Sequence, residues 1–405
     1  MDYQHAVDWL FSRFPAYQNI GAQAYKPDLK NVRQLLNTLG NPQKSMRFVH
    51  IAGTNGKGST SHILAALCQT HGLTTGIFTS PHLVDFRERI KVNGEQISEQ
   101  KVVDWVEREI PALHIDFDPS FFELTFALAL SHFKESTCDI CIIETGLGGR
   151  LDATNIISPL LSVITNIGLD HQNFLGDTRD KIASEKAGII KQQTPILIAE
   201  KDEETRLVFE QKVTQENALL RWVDLSSHIE SDLLARYQQL NLNTAKQAFE
   251  WLCQIYPILL DEGKTQFALK NVAKLTDFRG RMELIQENPK IIFDVAHNIS
   301  GIRVLLNELK SLTFVKLHIV FGNSNDKDLT EIIHVLPKNA TYYFSEFPNF
   351  RSRKVEEWEK IGDTHFQNYQ VFEKPSDALK NARQKACEDD LVLVFGSFFL
   401  IGELY

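Results

Sequence analysis

The sequence predicts an α/β fold made of two consecutive domains, each built on a mostly parallel β-sheet. Continuous apolar runs rich in β-branched residues alternate with stretches of helical periodicity, which is typical of parallel strands covered on both faces. The alternation occurs in two series along the 405 residues, with a stretch without such apolar runs between them. A proline and several polar residues precede the second series, so we expect the domain boundary near Asn288–Pro289.

The composition is that of an ordinary globular chain. Of all residues, 43% are hydrophobic and 23% are charged, which excludes disordered, collagen-like and coiled-coil chains. The 52 acidic residues outnumber the 43 lysines and arginines, which gives a formal net charge of −9. A broad basic surface for nucleic acid is therefore not expected. Any anionic ligand has to be held by local chemistry.

The cysteines and apolar segments indicate a reduced, cytoplasmic protein. The five cysteines are too few and too dispersed for a disulfide framework; they are Cys68, Cys138, Cys141, Cys253 and Cys387. Cys138 and Cys141 have CxxC spacing, but without a second such pair we interpret them as core cysteines and not as zinc ligands. The N-terminal sequence lacks the pattern of a secretory signal, and the most apolar stretch, Leu391–Gly402, is too short to cross a bilayer.

Ten apolar runs are predicted to contain the strands of the two sheets. The first series lies at 48–52, 75–80, 139–146, 160–168 and 194–200, and the second at 290–297, 317–322, 340–346, 369–373 and 391–397. Charged helical stretches at about 201–219 and 238–254 stand between them. Ligands bind at the carboxyl ends of strands in doubly wound sheets, so polar residues that follow these runs are the candidate site residues.

The first run leads into a glycine-rich turn and then an amphipathic helix, in FVHIAGTNGKGSTSHILAALCQTHG. The glycines allow a tight turn, and the backbone amides with the helix N-terminus predict an anion cradle. Lys57 adds a mobile positive charge. The loop departs from the pattern GxxxxGK[ST] because Ile51 stands at the first glycine position and Gly58 follows the lysine. A plain glycine turn with an exposed lysine is the alternative, but the flanking strand and helix favour a nucleotide, ATP or GTP.

This loop defines the type of the first domain. The predicted nucleotide-binding residues are Gly53, Thr54, Asn55, Gly56, Lys57, Gly58, Ser59 and Thr60. Ser59 or Thr60 offers a hydroxyl to Mg²⁺. The fold class is thus α/β, with a P-loop-type, mostly parallel sheet domain at 1–288 and a smaller doubly wound, Rossmann-like domain at 289–405.

Glu144 ends the third apolar run, where an unpaired buried carboxylate would be costly. An acidic residue at such a strand end holds Mg²⁺ in P-loop enzymes, so Glu144 is the Walker-B-like candidate. The alternatives are a carboxylate that caps nearby amides or one that pairs with Arg150. The GLGGR sequence that follows is a weak dinucleotide fingerprint, because Leu151 occupies the third glycine position.

Other turns carry polar residues whose role the residues alone leave open. Asp170 and His171 follow the fourth run, and His171 is either a structural group or part of the site, since Mg²⁺ prefers oxygen ligands. Ser80 and His82 follow the second run in TSPHL, and the spacing does not decide whether Ser80 caps a turn or meets a metal.

Two more segments place candidates farther along the chain. SEKAGIIK (184–191) is predicted to be helical, with Lys186 near its start, where a lysine normally points to solvent. FDVAHN places Asp294 and His297 after the first strand of the second domain, the expected position of a substrate-contacting pair. His297 is a candidate general acid/base or a polar anchor.

Together these segments resemble, in order, the motifs of the folylpolyglutamate synthase and dihydrofolate synthase family of the Mur-ligase superfamily. They are GTNGKGS (53–59), TSPHL with FRERI (79–90), FFELT (121–125), ETGLGGRLDATN (144–155), TNIGLDH (165–171), LGDT (175–178), EKAGIIK (185–191), RGRMEL (279–284), FDVAHN (293–298) and GSFFLIGE (396–403). The motifs cover the chain from about residue 30 to its C-terminus.

The resemblance implies an ATP-dependent ligase that phosphorylates a carboxylate of dihydropteroate or a reduced folate. The amino group of L-glutamate then attacks the acyl phosphate, which releases phosphate. The resemblance further implies a monomer in the cytoplasm that acts on these small molecules, with no nucleic-acid or membrane partner. Residues 1–288 would bind ATP and the pterin or folate, and 289–405 would bind glutamate.

The resemblance also assigns residues. Ser59 and Glu144 would ligate one Mg²⁺, and Ser80, Glu144 and His171 a second. Lys186 resembles the family's lysine that CO₂ can carbamylate to N6-carboxylysine. The remaining implied contacts are Asn241 and Arg281 with the nucleotide, and Asp294 and His297 with the nucleotide and incoming glutamate.

Some alternatives stay open within and beside this family. The segment 19–43 resembles the family's pterin-side segment but does not separate a bifunctional enzyme from a single-activity folylpolyglutamate synthase. A cell-wall precursor ligase would need a further N-terminal domain, and a P-loop ATPase or switch would not need a second substrate domain. Ile299 replaces the family's usual proline after AHN, which puts the geometry of that turn in question more than its polar groups.

Overall fold

The structure, a computed structural model, describes residues 1–14, 28–114, 116–325 and 327–405. The chain forms two compact units. The first contains Met1–Asp232 and Gln238–Phe278, and the second contains Leu233–Tyr237 and Arg279–Tyr405. Each unit is built on its own sheet, as the alternating apolar runs predict.

The helices of the first unit alternate with its strands. In chain order they are α1 (Tyr3–Arg13), α2 (Lys30–Thr38), α3 (Lys57–Thr70), α4 (Glu99–Asp104), α5 (Ile110–Ala112), α6 (Phe121–Glu135), α7 (Gln172–Leu175), α8 (Arg179–Ala187), α9 (Glu203–Glu216), α10 (Gln238–Ile255), α11 (Glu262–Lys270) and α12 (Val272–Thr276). A π-helical turn (Trp105–Glu109) joins α4 to α5, and short 3₁₀ turns lie at Pro42–Ser45, Phe86–Arg89 and Ala153–Ile156.

Within the described residues, the first sheet has eight strands. They are β1 (Phe48–Ala52), β2 (Thr75–Phe78), β3 (Ile90–Val92), β4 (Glu95–Gln96), β5 (Ile140–Glu144), β6 (Leu161–Ile164), β7 (Pro195–Ile198) and β8 (Leu219–Trp222). Their order is β4-β3-β2-β5-β1-β6-β7-β8, and only the β2–β3 and β3–β4 pairs among them are antiparallel.

Strand β1 is central in this sheet. It pairs in parallel with β5 on one side and β6 on the other, and all of its residues are buried. Helix α3 packs on β1, β2 and β5, and α10 packs on α3. The carboxyl ends of β1, β2, β5 and β6, where the candidate residues stand, therefore meet at one edge of the sheet.

The second unit contains a smaller, mostly parallel sheet. Its strands are β9 (Glu283–Gln286), β10 (Lys290–Phe293), β11 (Leu317–Phe321), β12 (Thr341–Ser345), β13 (Tyr369–Phe372) and β14 (Leu391–Phe395), in the order β13-β12-β11-β14-β10-β9. Its helices are α13 (Ile299–Glu308), α14 (Thr330–Val335), α15 (Val355–His365), α16 (Pro375–Lys385) and α17 (Phe398–Gly402), with a 3₁₀ turn at Leu309–Ser311.

The units divide ten residues earlier than the boundary expected near Asn288–Pro289. The difference arises because β9 pairs antiparallel with β10 and so belongs to the second sheet. The segment Leu233–Tyr237 also joins the second unit, because Arg236 N and Tyr237 N donate to the Glu308 carboxylate at 2.9 and 3.2 Å.

Two remaining expectations concern cysteines and membrane segments. Cys141 lies in the hydrophobic core, whereas Cys138 is only half-buried and packs against that core. Among the described helices, none combines the length and apolar character needed to cross a bilayer.

Candidate active site

The glycine-rich turn connects β1 to α3, between Ala52 and Lys57. Gly56 has a φ of +83°, in the left-handed region that glycine favours. A Cβ at this position would lie 2.3 Å from Asn241 Oδ1. Asn241 is buried on α10, and its Nδ2 donates to Gln238 Oε1 at 2.8 Å. The structure thus brings Asn241 directly against the glycine turn.

The N-terminus of α3 is open to an anion. Its N-cap is Gly56; within the described chain no side chain caps it and the first turn carries no acidic residue. The first intrahelical hydrogen bond runs from Thr60 N to Gly56 O at 2.9 Å, so the amides of Lys57, Gly58 and Ser59 precede it. Amides in this position, with the helix dipole, attract phosphate groups.

The segment after β6 holds the glycine turn in shape. Thr165 Oγ1 donates to Asn55 O at 2.6 Å, and Asn55 N donates to Asn166 Oδ1 at 2.8 Å. Gly168 N donates to Thr54 Oγ1 at 3.0 Å. These residues were missed as site residues from the sequence, although the TNIG motif in which they stand was the available signal. They preorganise the loop without any ligand.

Lys57, Glu144 and Ser80 meet beside this turn. Lys57 Nζ lies 3.8 Å from Glu144 Oε1 and donates to the carbonyl oxygens of Gly53 and Thr54 at 3.2 and 3.3 Å. Ser80 N donates to Glu144 Oε2 at 3.3 Å. Glu144 is only 4% exposed, and these groups contribute to balancing its charge.

The oxygen atoms at and near Glu144 are of the kind that binds Mg²⁺. A Cβ on Gly58 would be 3.6 Å from Glu144 Oε2, so the glycine places the carboxylate next to the first turn of α3. That turn carries the Ser59 hydroxyl, and carboxylate and hydroxyl oxygens suit Mg²⁺. Arg150, the alternative partner of Glu144, pairs instead with Glu185 at 2.8 Å. Across the described ranges no group of three or more His, Cys, Asp or Glu residues could hold a metal, so hydroxyl and phosphate oxygens would have to complete the set.

Lys186 departs from the sequence expectation. It lies in the last turn of α8, not near the start of a helix, and it is 3% exposed instead of solvated. Its Nζ donates to Gly53 O at 2.8 Å, so it supports the glycine turn from the protein side. Burial, and next the charge of Lys57, lower the pKa of Lys186 to about 7, against the opposing charges of Asp170 and Asp152.

His171 lies in the same neighbourhood. Its backbone N donates to Asp170 Oδ1 at 2.9 Å, and its Nε2 lies 3.8 Å from Asp170 Oδ2. The Asp170 charge also acts on Lys186. Ser80 contacts Glu144 directly, whereas the contact described for His171 is with its neighbour Asp170.

In the second unit, Asp294 follows β10 and is buried. Its Oδ2 accepts hydrogen bonds from Met282 N and from the Tyr237 hydroxyl, at 2.9 and 2.8 Å, and its Oδ1 accepts one from Ala296 N at 2.7 Å. Burial raises the pKa of Asp294, and the charge of Arg281 is the largest opposing influence. Tyr237 was not foreseen from the sequence.

Arg281 and His297 share one aromatic neighbour. The Arg281 guanidinium lies over the Phe398 ring at 5.1 Å, and the His297 ring lies 5.6 Å from the same ring. His297 Nδ1 contacts Val295 O at 3.0 Å. The structure therefore groups Arg281, Asp294 and His297 in one region of the second unit.

Ile299 does not disturb the turn in which it stands. It occupies the first position of α13, where proline would be favoured but is not required. The Asn298 side chain caps this helix by accepting from Gly301 N at 2.8 Å. The substitution therefore leaves the helix start intact.

The pterin-side segment is only partly described. Residues 19–27 of the predicted segment 19–43 lie outside the described residues, and the rest forms α2 and the following 3₁₀ turn. His82 of TSPHL is partly buried, and Arg89 Nε donates to its Nδ1 at 2.8 Å. The Arg89 guanidinium also lies 5.4 Å from the centre of the Phe121 ring.

The chain matches known protein domains and a known relative over most of its length. Residues 51–258 match the Mur ligase middle domain, and residues 280–398 match the Mur ligase, glutamate ligase domain. The chain is 32% identical over 433 residues to the dihydrofolate synthase/folylpolyglutamate synthase of Bacillus subtilis strain 168, a match that covers 99% of this chain and 98% of that relative.

Solved structures are similar over the whole chain. E. coli FolC in complex with DHPP and ADP has a TM-score of 0.85 and 27% identity, and the match covers 100% of this chain and 97% of that one. A bifunctional folylpolyglutamate synthase/dihydrofolate synthase with Mn, AMPPNP and L-glutamate bound has a TM-score of 0.85 and 26% identity, with the same coverage.

Proposed function

We propose that this chain, which belongs to the dihydrofolate synthase/folylpolyglutamate synthase family of Mur ligases, joins L-glutamate to dihydropteroate and to reduced folates at the expense of ATP. The observation that carries this proposal is the open glycine loop with Lys57 and buried Glu144 beside it. Its relatives' match over the full chain supports the choice of substrates.

The reaction requires a poor acylating agent to be activated. ATP transfers its γ-phosphoryl group to the substrate carboxylate, and the glutamate amino group then displaces phosphate from the acyl phosphate, which gives ADP and an amide. Phosphoryl transfer depends on positioning and on neutralising charge. The loop amides and the N-terminus of α3 would hold the phosphates, and Lys57 would move from its carbonyl partners onto them.

The metal assignment follows the donor set. Mg²⁺, when bound, supplies positive charge that stabilises the transferring phosphoryl group. Ser59 and Glu144 would hold the ion on the phosphates. Ser80, Glu144 and His171 would hold a second ion, in support of which Ser80 already contacts the carboxylate.

Lys186 is suited to carbamylation. Its buried amine titrates near neutral pH, so the neutral form that reacts with CO₂ is available. The product, N6-carboxylysine, would be an anion beside Gly53 O and close to Lys57. An intact-mass measurement in bicarbonate buffer should show the gain of one CO₂, which Lys186→Met should lack; an unmodified mass in both proteins would contradict this assignment.

The second unit would complete the substrate contacts. Arg281 and Asp294 are proposed to contact the nucleotide, and His297 with Asp294 the incoming glutamate, in support of which they cluster around Phe398 and the end of β10. We further propose that the protein acts as a cytoplasmic monomer on small molecules, without nucleic-acid or membrane partners. The net charge of −9 and the free cysteines support this.

The test is incorporation of radiolabelled L-glutamate with ATP and Mg²⁺, using dihydropteroate or tetrahydrofolate as the acceptor. Incorporation into both acceptors is expected. Incorporation into one alone would identify a single-activity enzyme, and incorporation into neither would overturn the folate assignment. Omitting ATP should abolish the signal, and chelating the metal should do the same.

A further inference from the structure

Tyr237 occupies an unusual place in the chain. It ends the short segment Leu233–Tyr237, which belongs to the second unit, and the next residue, Gln238, begins α10 in the first unit. Asn241, which borders the glycine loop, stands four residues later. Tyr237 is thus close in sequence to Asn241, one proposed nucleotide contact, while its side chain contacts Asp294, another.

The side chain of Tyr237 is partly buried and reaches Asp294. Its hydroxyl donates to Asp294 Oδ2 at 2.8 Å, on the same oxygen that accepts from Met282 N. Asp294 Oδ1 accepts a hydrogen bond from Ala296 N. Among these three donors, Tyr237 supplies the side-chain hydroxyl, whereas the other two are backbone amides of the loops on either side.

The backbone of Tyr237 is fixed independently of its hydroxyl. Tyr237 N and Arg236 N donate to the two carboxylate oxygens of Glu308, on α13. The tyrosine is therefore anchored on one element and delivers its hydroxyl to the end of β10. Removing the hydroxyl should leave this anchor in place.

The charges around the pair set its protonation. Burial and the Asp294 and Glu308 charges raise the pKa of Tyr237, with Arg281 opposing, so the phenol stays protonated and donates at neutral pH. Burial raises the pKa of Asp294, whereas Arg281, the Tyr237 hydroxyl and the two amides lower it. The tyrosine therefore favours the ionised carboxylate.

We propose that Tyr237 is a positioning residue for the ligase: its hydroxyl orients the Asp294 carboxylate for nucleotide binding. The proposal rests on the proposed contact of Asp294 with the nucleotide. It adds a role for the segment Leu233–Tyr237, which no motif in the sequence had marked.

The test compares Tyr237→Phe with Tyr342→Phe. Tyr342 is a matched control because it is a buried tyrosine of the same unit whose hydroxyl donates to a backbone carbonyl, that of Pro337, at 2.6 Å. We measure the dissociation constant of ADP with Mg²⁺, kcat/KM for ATP and its pH profile, and thermal unfolding. Both variants are also made in an Asp294→Asn background.

Tyr237→Phe should weaken ADP binding and lower kcat/KM for ATP on the order of tenfold, the effect of losing one hydrogen bond to a charged group. The acid limb of the pH profile should move to higher pH, because the carboxylate then loses a donor that favours its ionised form. In the Asp294→Asn background, Tyr237→Phe should have no further effect on ADP binding. Tyr342→Phe should leave ADP binding and the pH profile at their wild-type values.

Three results would overturn the proposal: wild-type ADP binding in Tyr237→Phe, an equal loss in the Asp294→Asn background, or an equal loss in Tyr342→Phe. A wild-type protein that binds ADP but incorporates no glutamate would overturn the proposed function alone. In that case ADP binding by the variants still decides the role of Tyr237.

Discussion

The two units each contain a strand, a turn and a helix at the edge of a parallel sheet, but the two turns use their amides in opposite ways. In the first unit, β1 leads through the glycine loop to α3, whose N-terminus has no side-chain cap among the described residues. In the second, β10 leads to α13, where Asn298 caps Gly301 N and Asp294 accepts from Ala296 N. The backbone N–H groups of the first turn are left for a ligand. Those of the second turn donate to the side-chain oxygens of Asn298 and Asp294.

The difference shows how the proposed phosphate site departs from an ordinary helix start. A helix N-terminus alone does not suffice, because the chain's own side chains often satisfy it. The first turn excludes such side chains by using glycine at positions 56 and 58 and places Lys57 between them. It is held in shape from outside, by Thr165 and Asn166.

The largest effect should come from removing the charge of Lys57 at the first turn or of Glu144 beside it. Lys57→Met and Glu144→Gln should each lower kcat on the order of a thousandfold or more, because each removes a group that balances charge during phosphoryl transfer. The measurement is ATP-dependent glutamate incorporation, with circular dichroism to confirm folding.

Controls for these variants come from the same unit. Lys191 Nζ also donates to a backbone carbonyl, that of Asn155, and Asp139 precedes the same strand that Glu144 ends. Lys191→Met and Asp139→Asn should keep activity within a few-fold of wild type. Full activity of Lys57→Met or Glu144→Gln would show that the phosphate and metal assignments are misplaced.

The next effect concerns the shape of the first turn. Gly56→Ala should weaken ADP binding roughly a hundredfold, because the left-handed φ costs alanine about 1–2 kcal/mol and the new Cβ displaces Asn241. Gly72→Ala is the control, since Gly72 has a φ of +90° but no atom within 4 Å of the added Cβ. Calorimetric titration with ADP measures both. Equal affinities in the two variants would show that a Cβ at Gly56 does not disturb the nucleotide site.

A smaller effect concerns the dependence of stability on pH that the buried Lys186 amine produces. Asp294 has three hydrogen-bond donors, whereas Lys186 is buried against one backbone carbonyl and its pKa is lowered from 10.5 to about 7. Between these values the unfolded chain binds a proton that the folded chain lacks, so stability rises with pH. In CO₂-free buffer, the free energy of unfolding of wild type relative to Lys186→Met should rise by about 2 kcal/mol from about pH 7 to pH 9. A pH-independent difference in chemical denaturation would contradict the burial of an uncharged amine.

The smallest effect should follow from opening the second turn. Asn298→Ala removes the cap of α13 and should destabilise its first turn by about 1 kcal/mol. Hydrogen exchange should become faster at Gly301 N while the amides of β14 keep their protection. Unchanged exchange at Gly301 would show that the cap does not stabilise this turn. Ser98→Ala, which removes the cap of α4 in the first unit, should leave α13 unaffected.

The fold was predictable wherever burial produced a continuous apolar run. All ten predicted strands are present, including the central β1 and β14. Strands β3, β4, β8 and β9 were missed because they are short and partly exposed or charged, so their residues carry no continuous apolar signal. Because β9 carries no continuous apolar signal, the boundary expected near Asn288–Pro289 lies after this strand, whereas the two compact units divide before it.

The site was predictable where a residue type has a strong local signature. Glycines with a lysine between them, and a glutamate at the end of an apolar run, identify the loop and Glu144 without a structure. Lys186 and Tyr237 lack such a signature, because their importance comes from long-range packing against Gly53 and Asp294. Sequence periodicity also placed Lys186 at the wrong end of its helix, since α8 begins earlier than its apolar residues suggest.

The central position of β1 has a consequence for synthesis of the chain. The segments that surround the glycine loop are translated after it. They are the neighbouring strands β5 and β6, the hydrogen-bonding residues Thr165 and Asn166, and Asn241. A nascent chain that ends before Asn241 thus carries the loop without one of its contacts, and the contacts that shape the loop are far apart in sequence. The complete shape of the loop therefore depends on segments translated after it, up to and including α10.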